Sequence, residues 1–233
     1  ISTNNPLNGI AYLTSWPRTY KYLCGLNEKI FLGLISNDSG LAVDIRLSDS
    51  ANALIASSLG NVITFQQLTV LDASPQTLIN STSLTSGDFT NCVYYTVRSN
   101  ATGMGAYTGR SEVFKIYIDR ECQRYPSRRL HWLNKFGSFD SFTFMKVSRN
   151  RTEVERKQFK KFQPLDYAKT FRAKTNYYTK ASDSITINSD YLTDAEYEGM
   201  KQLIESPIVM YEIDSNTYVP VNIVETNYEQ KRY

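Results

Sequence analysis

A chain of 233 residues and 26.7 kDa is long enough for one large domain or two small ones with a real core. Its 41% hydrophobic and 21% charged residues exclude wholesale disorder, and no apolar run reaches the roughly 18 residues of a membrane-spanning helix. The net charge is only +3, and a single His, His131, leaves no room for a multi-His metal site and forces any His-based triad through one residue.

In chain order, residues 1–119 are rich in Ser, Thr, Asn and Gly, with short apolar runs bounded by turn residues. Lys29–Ile35 and Leu41–Leu47 read as strands. In the second, Leu41, Val43, Ile45 and Leu47 share one face and Asp44 and Arg46 the other. Asn37-Asp38-Ser39-Gly40 between them is turn chemistry. Asn61–Val70, Cys92–Arg98 and Val113–Ile118 are further strands, the last two separated by a long hairpin loop that contains Asn100–Gly105. Six or seven short strands at this spacing predict a β-sandwich over residues 1–124. Cys24, Cys92 and Cys122 form no CxxC pair; Cys92 could pair with either of the others, and the odd count favours reduced, buried thiols.

A polar stretch, Arg120–Arg129, marks a boundary near residue 125 and opens a second β-rich domain, 125–233, expected to have its own apolar core. Leu130–Phe144 reads as strand, tight turn at Asn134–Gly137, strand, with Trp132, Phe142 and Phe144 as its structural aromatic core. The basic stretch Val154–Phe162 fits either an amphipathic helix or an edge strand. The alternation of Thr152, Val154 and Arg156, and Pro164 beyond, favour the strand, and Ser184–Asn188 is strand-like as well. Thr193-Asp194-Ala195-Glu196 is a capping box that predicts a helix over 194–205, with Tyr197, Met200, Leu203 and Ile204 as its apolar stripe. Ile208–Ile213 and Tyr218–Val224 predict a closing hairpin, with Pro220 on an edge strand.

Charge is segregated along the chain. Residues 1–119 balance at −1, residues 120–180 at +11 (16 Lys+Arg, 5 Asp+Glu) and residues 181–233 at −7. Three uses of the basic block stand open: a match to the acidic block within or between chains, a solvated face, or a contact with DNA through residues 120–180.

Signatures of catalysis are missing from the sequence. Gly103-Met104-Gly105 lacks the Lys and the helix of a phosphate loop, and there is no GxSxG elbow and no HExxH. Asp38/Asp44 and Asp183/Asp190 read as solvated loop acids rather than a glycosidase pair. His131 reads as a satisfied structural residue, and Trp16 as either a sugar-stacking platform or a packing anchor. Accordingly no cofactor, metal or enzymatic activity is expected.

Arg129-Leu130-His131-Trp132-Leu133-Asn134-Lys135-Phe136-Gly137-Ser138-Phe139-Asp140-Ser141-Phe142-Thr143-Phe144, followed by Arg156-Lys157, resembles a module in structural proteins of tailed bacteriophages. The form it is similar to occurs in phages and prophages of Bacteroidetes, including crAss-like phages. Leu13–Thr19 resembles the opening of that family's pattern, and Tyr191–Tyr197, Ser206-Pro207 and the final paired strands resemble its end. The resemblance covers most of the chain and consists of turn and aromatic residues. It implies a non-enzymatic virion protein of the tail, tail hub or connector, made in the bacterial cytoplasm, with no catalytic residues to carry over. The start at Ile1 is expected to be cut or processed, and the pattern to continue beyond Tyr233.

The charge blocks and the resemblance together predict a ring in which copies meet positive to negative, alongside other virion proteins. Arg156, Lys157, Lys160 and Lys161 against Glu196, Glu198 and Glu205 are the candidate assembly interface. The alternative is a glycan-binding or adhesive β-sandwich of a tail fibre or cell surface, which would use exposed Trp and Tyr in an open groove.

Overall fold

The computed structural model describes residues 10–224 except 18, 24, 37–39, 65–67, 102–110, 121–123, 163, 164, 167, 169, 171, 190 and 215. It is mainly β, with fourteen strands and two helices among the described residues. The turn expected at 37–40 and the loop beyond residue 101 fall largely outside them.

Two sheets form from the first half. Strands β1 (Ile10–Tyr12), β3 (Phe31–Ser36) and β6 (Leu68–Asp72) make an antiparallel sheet in the order β1-β3-β6. Strands β2 (Thr19–Leu23), β4 (Gly40–Ser48), β5 (Leu54–Thr64), β7 (Tyr94–Ala101) and β8 (Phe114–Ile118) make the other, in the order β2-β8-β7-β4-β5, with β2 and β8 parallel. Alternation supplies the inner faces: Leu32 and Leu34 from β3, and Val43, Ile45 and Leu47 from β4, are buried. Tyr12 bridges the sheets. Its ring lies 5.7 Å from Phe114 and its hydroxyl donates to the Val97 carbonyl. The strand expected over Asn61–Val70 is instead the end of β5 and the start of β6, which belong to different sheets.

Helix α1 (Pro75–Ser81) was not predicted, because seven residues carry no amphipathic repeat. Its start follows from local chemistry. Pro75 fixes φ in the first turn, and Asp72 accepts from the Ser74 amide and hydroxyl, Thr77 Oγ1 and Lys29 Nζ. Burial raises the Asp72 pKa, but these four donors outweigh it and hold the carboxyl below its ordinary value.

The second half builds a four-stranded antiparallel sheet in the order β10-β9-β13-β14, from β9 (Arg128–Leu133), β10 (Phe139–Phe144), β13 (Val209–Asp214) and β14 (Thr217–Val221). Asn134 closes the β9–β10 turn: its side-chain oxygen accepts from the Phe136 and Ser138 amides, while Gly137 takes φ +83°. β14, with Pro220, lies at the edge. Helix α2 (Asp194–Glu205) starts in a complete capping box, in which Thr193 Oγ1 accepts from the Glu196 amide and Glu196 accepts from the Thr193 amide. Strands β11 (Arg149–Lys160) and β12 (Lys174–Thr186) form a separate two-stranded sheet, pairing among the described residues only with each other.

No sheet crosses residue 125, but the core does. The expectation of two separate cores is corrected: the buried apolar side chains form one cluster from Tyr12 to Val209. Trp16 stacks on Phe142 at 5.5 Å and tilts against Trp132 at 5.9 Å. Two glycines permit the approach of the halves. A Cβ on Gly199 of α2 would lie 3.2 Å from the Trp16 ring, and one on Gly33 of β3 would lie 2.1 Å from Ser138 Oγ. Polar contacts cross as well. Asp140, fully enclosed, accepts from Thr14 Oγ1 and Ser15 Oγ, and Arg129 donates from Nε and Nη2 to the Lys29 carbonyl.

Candidate assembly interface

The β11–β12 ribbon carries the four basic residues that the sequence singled out. β-branched and hydroxyl side chains at alternate positions extend both strands, and antiparallel pairing runs from Arg149↔Thr186 to Lys160↔Lys174 with one irregularity at Lys157/Gln158. At about 3.3 Å per residue its strands extend about 40 Å. Every residue of β11 is exposed, and so is every residue of β12 except Thr175. The ribbon therefore has no hydrophobic core of its own. Among the described residues its side-chain ion pairs, hydrogen bonds and ring contacts are local: Arg151 pairs with Glu153 at 2.7 Å, Lys157 with Glu155 at 3.6 Å, Thr152 donates to Asp183, and Phe159 meets Tyr177 at 6.2 Å.

Paired residues share a face, so the register sorts the ribbon. Val154/Ala181, Arg156/Thr179 and Lys160/Lys174 lie on one face; Glu155/Lys180 and Lys157/Tyr178 lie on the other. Val154, Phe159, Tyr177, Tyr178 and Ile185 are exposed apolar or aromatic residues on the strands, and Phe162, just past β11, is 89% exposed. An isolated two-stranded hairpin is marginal in water, and one that also displays apolar side chains gains by covering them.

The acidic side of the expected interface is only partly available. Glu196 is 5% exposed and is consumed by the capping box, which corrects its assignment to an interface. Glu205 lies 3.8 Å from Lys201 on the same helix, so its charge is already matched. Glu198 is exposed on α2. No ion pair joins the four basic residues to these glutamates among the described residues.

The other candidates are enclosed. Trp16 and Trp132 are both buried and pack on each other, so neither offers a stacking face to a sugar. His131 Nε2 lies 2.6 Å from Glu212 Oε2, its ring meets Phe31 and Tyr218, and Nδ1 has no hydrogen-bond partner among the described residues. Burial holds its pKa below the ordinary value despite Glu212. Arg129 completes the cluster, 3.5 Å from Glu212 and 3.7 Å from Glu28. This network, which sequence reasoning missed, lies under the first half of the chain. Its one visible signal was Glu212, a carboxylate within the apolar run Ile208–Ile213.

Cys92 is a free, buried thiol whose pKa burial pushes up to about 11, while Cys24 and Cys122 lie outside the described residues. Of the carboxylate pairs, Asp38 and Asp190 lie outside them too; Asp44 pairs with Arg46 at 3.2 Å. Among the described residues no cluster of His, Cys, Asp and Glu could hold a metal ion, and no helix is long and apolar enough to cross a membrane. No family model matches the chain, and no similar curated protein or solved structure was found.

Proposed function

We propose that this chain is a non-enzymatic structural subunit of a tailed-bacteriophage virion, in the tail, tail hub or connector, acting through contacts with copies of itself in a ring and with other virion proteins. The observation that carries this reading is the β11–β12 ribbon, a pair of strands 12 and 13 residues long in which every residue but Thr175 is exposed and which displays apolar side chains. Such an arm is stabilised when a partner covers it. The proximal part, with Val154 and Ile185 exposed and charges paired locally, suits a subunit surface. Packing adds support to the resemblance. Leu13–Thr19 and Arg129–Phe144, two of the segments that resemble the phage family, meet in one cluster through Trp16, Trp132, Phe142 and Asp140.

The adhesive alternative loses its tryptophans to the core and keeps only exposed tyrosines such as Tyr191. The test is a variant in which residues 151–184 are replaced by a short turn, compared with the full chain by analytical ultracentrifugation and by incorporation into particles. The full chain is expected to self-associate and enter particles, and the shortened chain to stay a folded monomer outside them. A full chain that is monomeric at all concentrations and absent from purified particles would overturn the reading.

A further inference from the structure

The charge of the ribbon is not uniform along its length. The proximal strand residues, 149–155 and 181–186, carry two basic and three acidic side chains, whereas the distal strand residues, 156–160 and 174–180, carry five basic side chains and no acid, a balance of +5. Arg156, Lys160, Lys161, Lys174 and Lys180 are exposed and make no ion pair among the described residues. They do not share one side. Arg156, Lys160 and Lys174 lie on one face of the ribbon, Lys157 and Lys180 on the other, and Lys161 just past the end of β11.

We propose that the distal half of the ribbon binds the phosphate backbone of a nucleic-acid duplex, without sequence preference, by lying in its major groove. Three observations select this occupant over the acidic helix of a second copy. The first is quantity. On α2, Asp194, Glu198 and Glu205 stand with Lys201 on the exposed surface and Glu196 is buried, so the helix offers two net negative charges against +5 on the distal strands. A duplex presents one negative charge per about 1.7 Å of axis, so the roughly 13 Å of ribbon from Arg156 to Lys160 spans about eight phosphates.

The second is distribution. A flat protein surface meets one face of a ribbon, whereas a groove has phosphates on both sides, as basic side chains on both faces and at the tip require. The third is shape, since the major groove, about 12 Å wide, admits a two-stranded β-ribbon. The proposal rests on charge placement and the shape of the ribbon and does not depend on the virion reading.

The experiment follows fluorescence anisotropy of a labelled duplex of about 30 base pairs, titrated with the full chain between about 50 and 200 mM salt. The four-fold variant Arg156→Gln, Lys160→Gln, Lys161→Gln, Lys174→Gln changes exposed residues only, and near-ultraviolet circular dichroism checks that its core is intact. Each phosphate contact contributes about 0.9 to the slope of log affinity against log salt, so the variant is expected to lower that slope by about 3 to 4 and to weaken binding more than tenfold at the lower salt. A control variant, Lys135→Gln with Lys201→Gln, is expected to leave the slope unchanged. Absence of duplex binding by the full chain at low salt would overturn the proposal, as would equal slopes for the two variants. Equal affinity for polyglutamate of the same charge would overturn the groove. Loss of self-association by the four-fold variant with duplex binding intact would assign these charges to a second copy instead.

Discussion

The hairpins β9–β10 and β11–β12 follow each other within a few residues and differ in almost every physical respect. The first is buried on both faces; the second is exposed on both. On one face of β9–β10, Trp132, Leu130 and Phe142 lie under Trp16. On the other face Arg129, His131 and Thr143 lie under Glu28, Lys29 and Phe31 and find partners there or in Glu212, and Ser141 accepts from Arg129. Polar residues at alternate positions ordinarily mark a solvent face. Here they mark a second buried face, satisfied by charge and hydrogen bonds from 100 residues away in sequence. The comparison teaches that alternation identifies the apolar side of a strand but not what covers the polar side.

The difference has measurable consequences, the largest in the buried hairpin. Trp132→Ala should cost about 3–5 kcal/mol in urea unfolding, whereas Phe159→Ala on the ribbon should stay within about 0.5 kcal/mol. A comparable loss at both sites would break the contrast. Arg129→Ala leaves the Glu28 and Glu212 carboxylates without their buried partner, and a loss of about 3–5 kcal/mol is expected by the same assay.

Next comes the seam between the halves. Gly33→Ala forces a methyl into Ser138 and should cost about 1–3 kcal/mol, and Ser138→Gly in the same chain should recover most of it. Additive effects would show that the halves do not meet there. Thr193→Ala removes the α2 cap and should cost about 0.5–2 kcal/mol, read from the same unfolding curves.

The smallest effect is the pH dependence of His131. Its folded pKa lies below 6.5, so the unfolded chain binds the extra proton first. This residue's contribution to stability is therefore full above about pH 6.5 and is lost as pH falls from there towards the folded value. His131→Gln should flatten the stability profile in that window.

Much of this was legible in the sequence because it is local. Period-two alternation marked β4, β10 and β11, the capping box marked α2, and Pro220 marked an edge. Helix α1 escaped because its N-cap, Ser74, makes no side-chain cap bond and its start is held instead by Asp72, which Lys29 meets from 43 residues away. The shared core escaped because Trp16 reads alike as an anchor or an exposed platform until its partner is known. Glu196 shows two local rules in competition: the pattern that made it a capping residue also withdrew it from the surface, and the cap prevails because it satisfies backbone amides that would otherwise lack partners.

Hydrogen exchange, followed in the free chain and again in the assembled particle, bears most directly on the claim that the exposed ribbon is completed by assembly. In the free chain, β9–β10 amides should be protected to the level of global unfolding, while β11–β12 amides exchange by local opening. On assembly the β11–β12 amides should become protected and the β9–β10 amides should not change. A ribbon already protected in the isolated chain, or one still exchanging freely in the particle, would contradict the account.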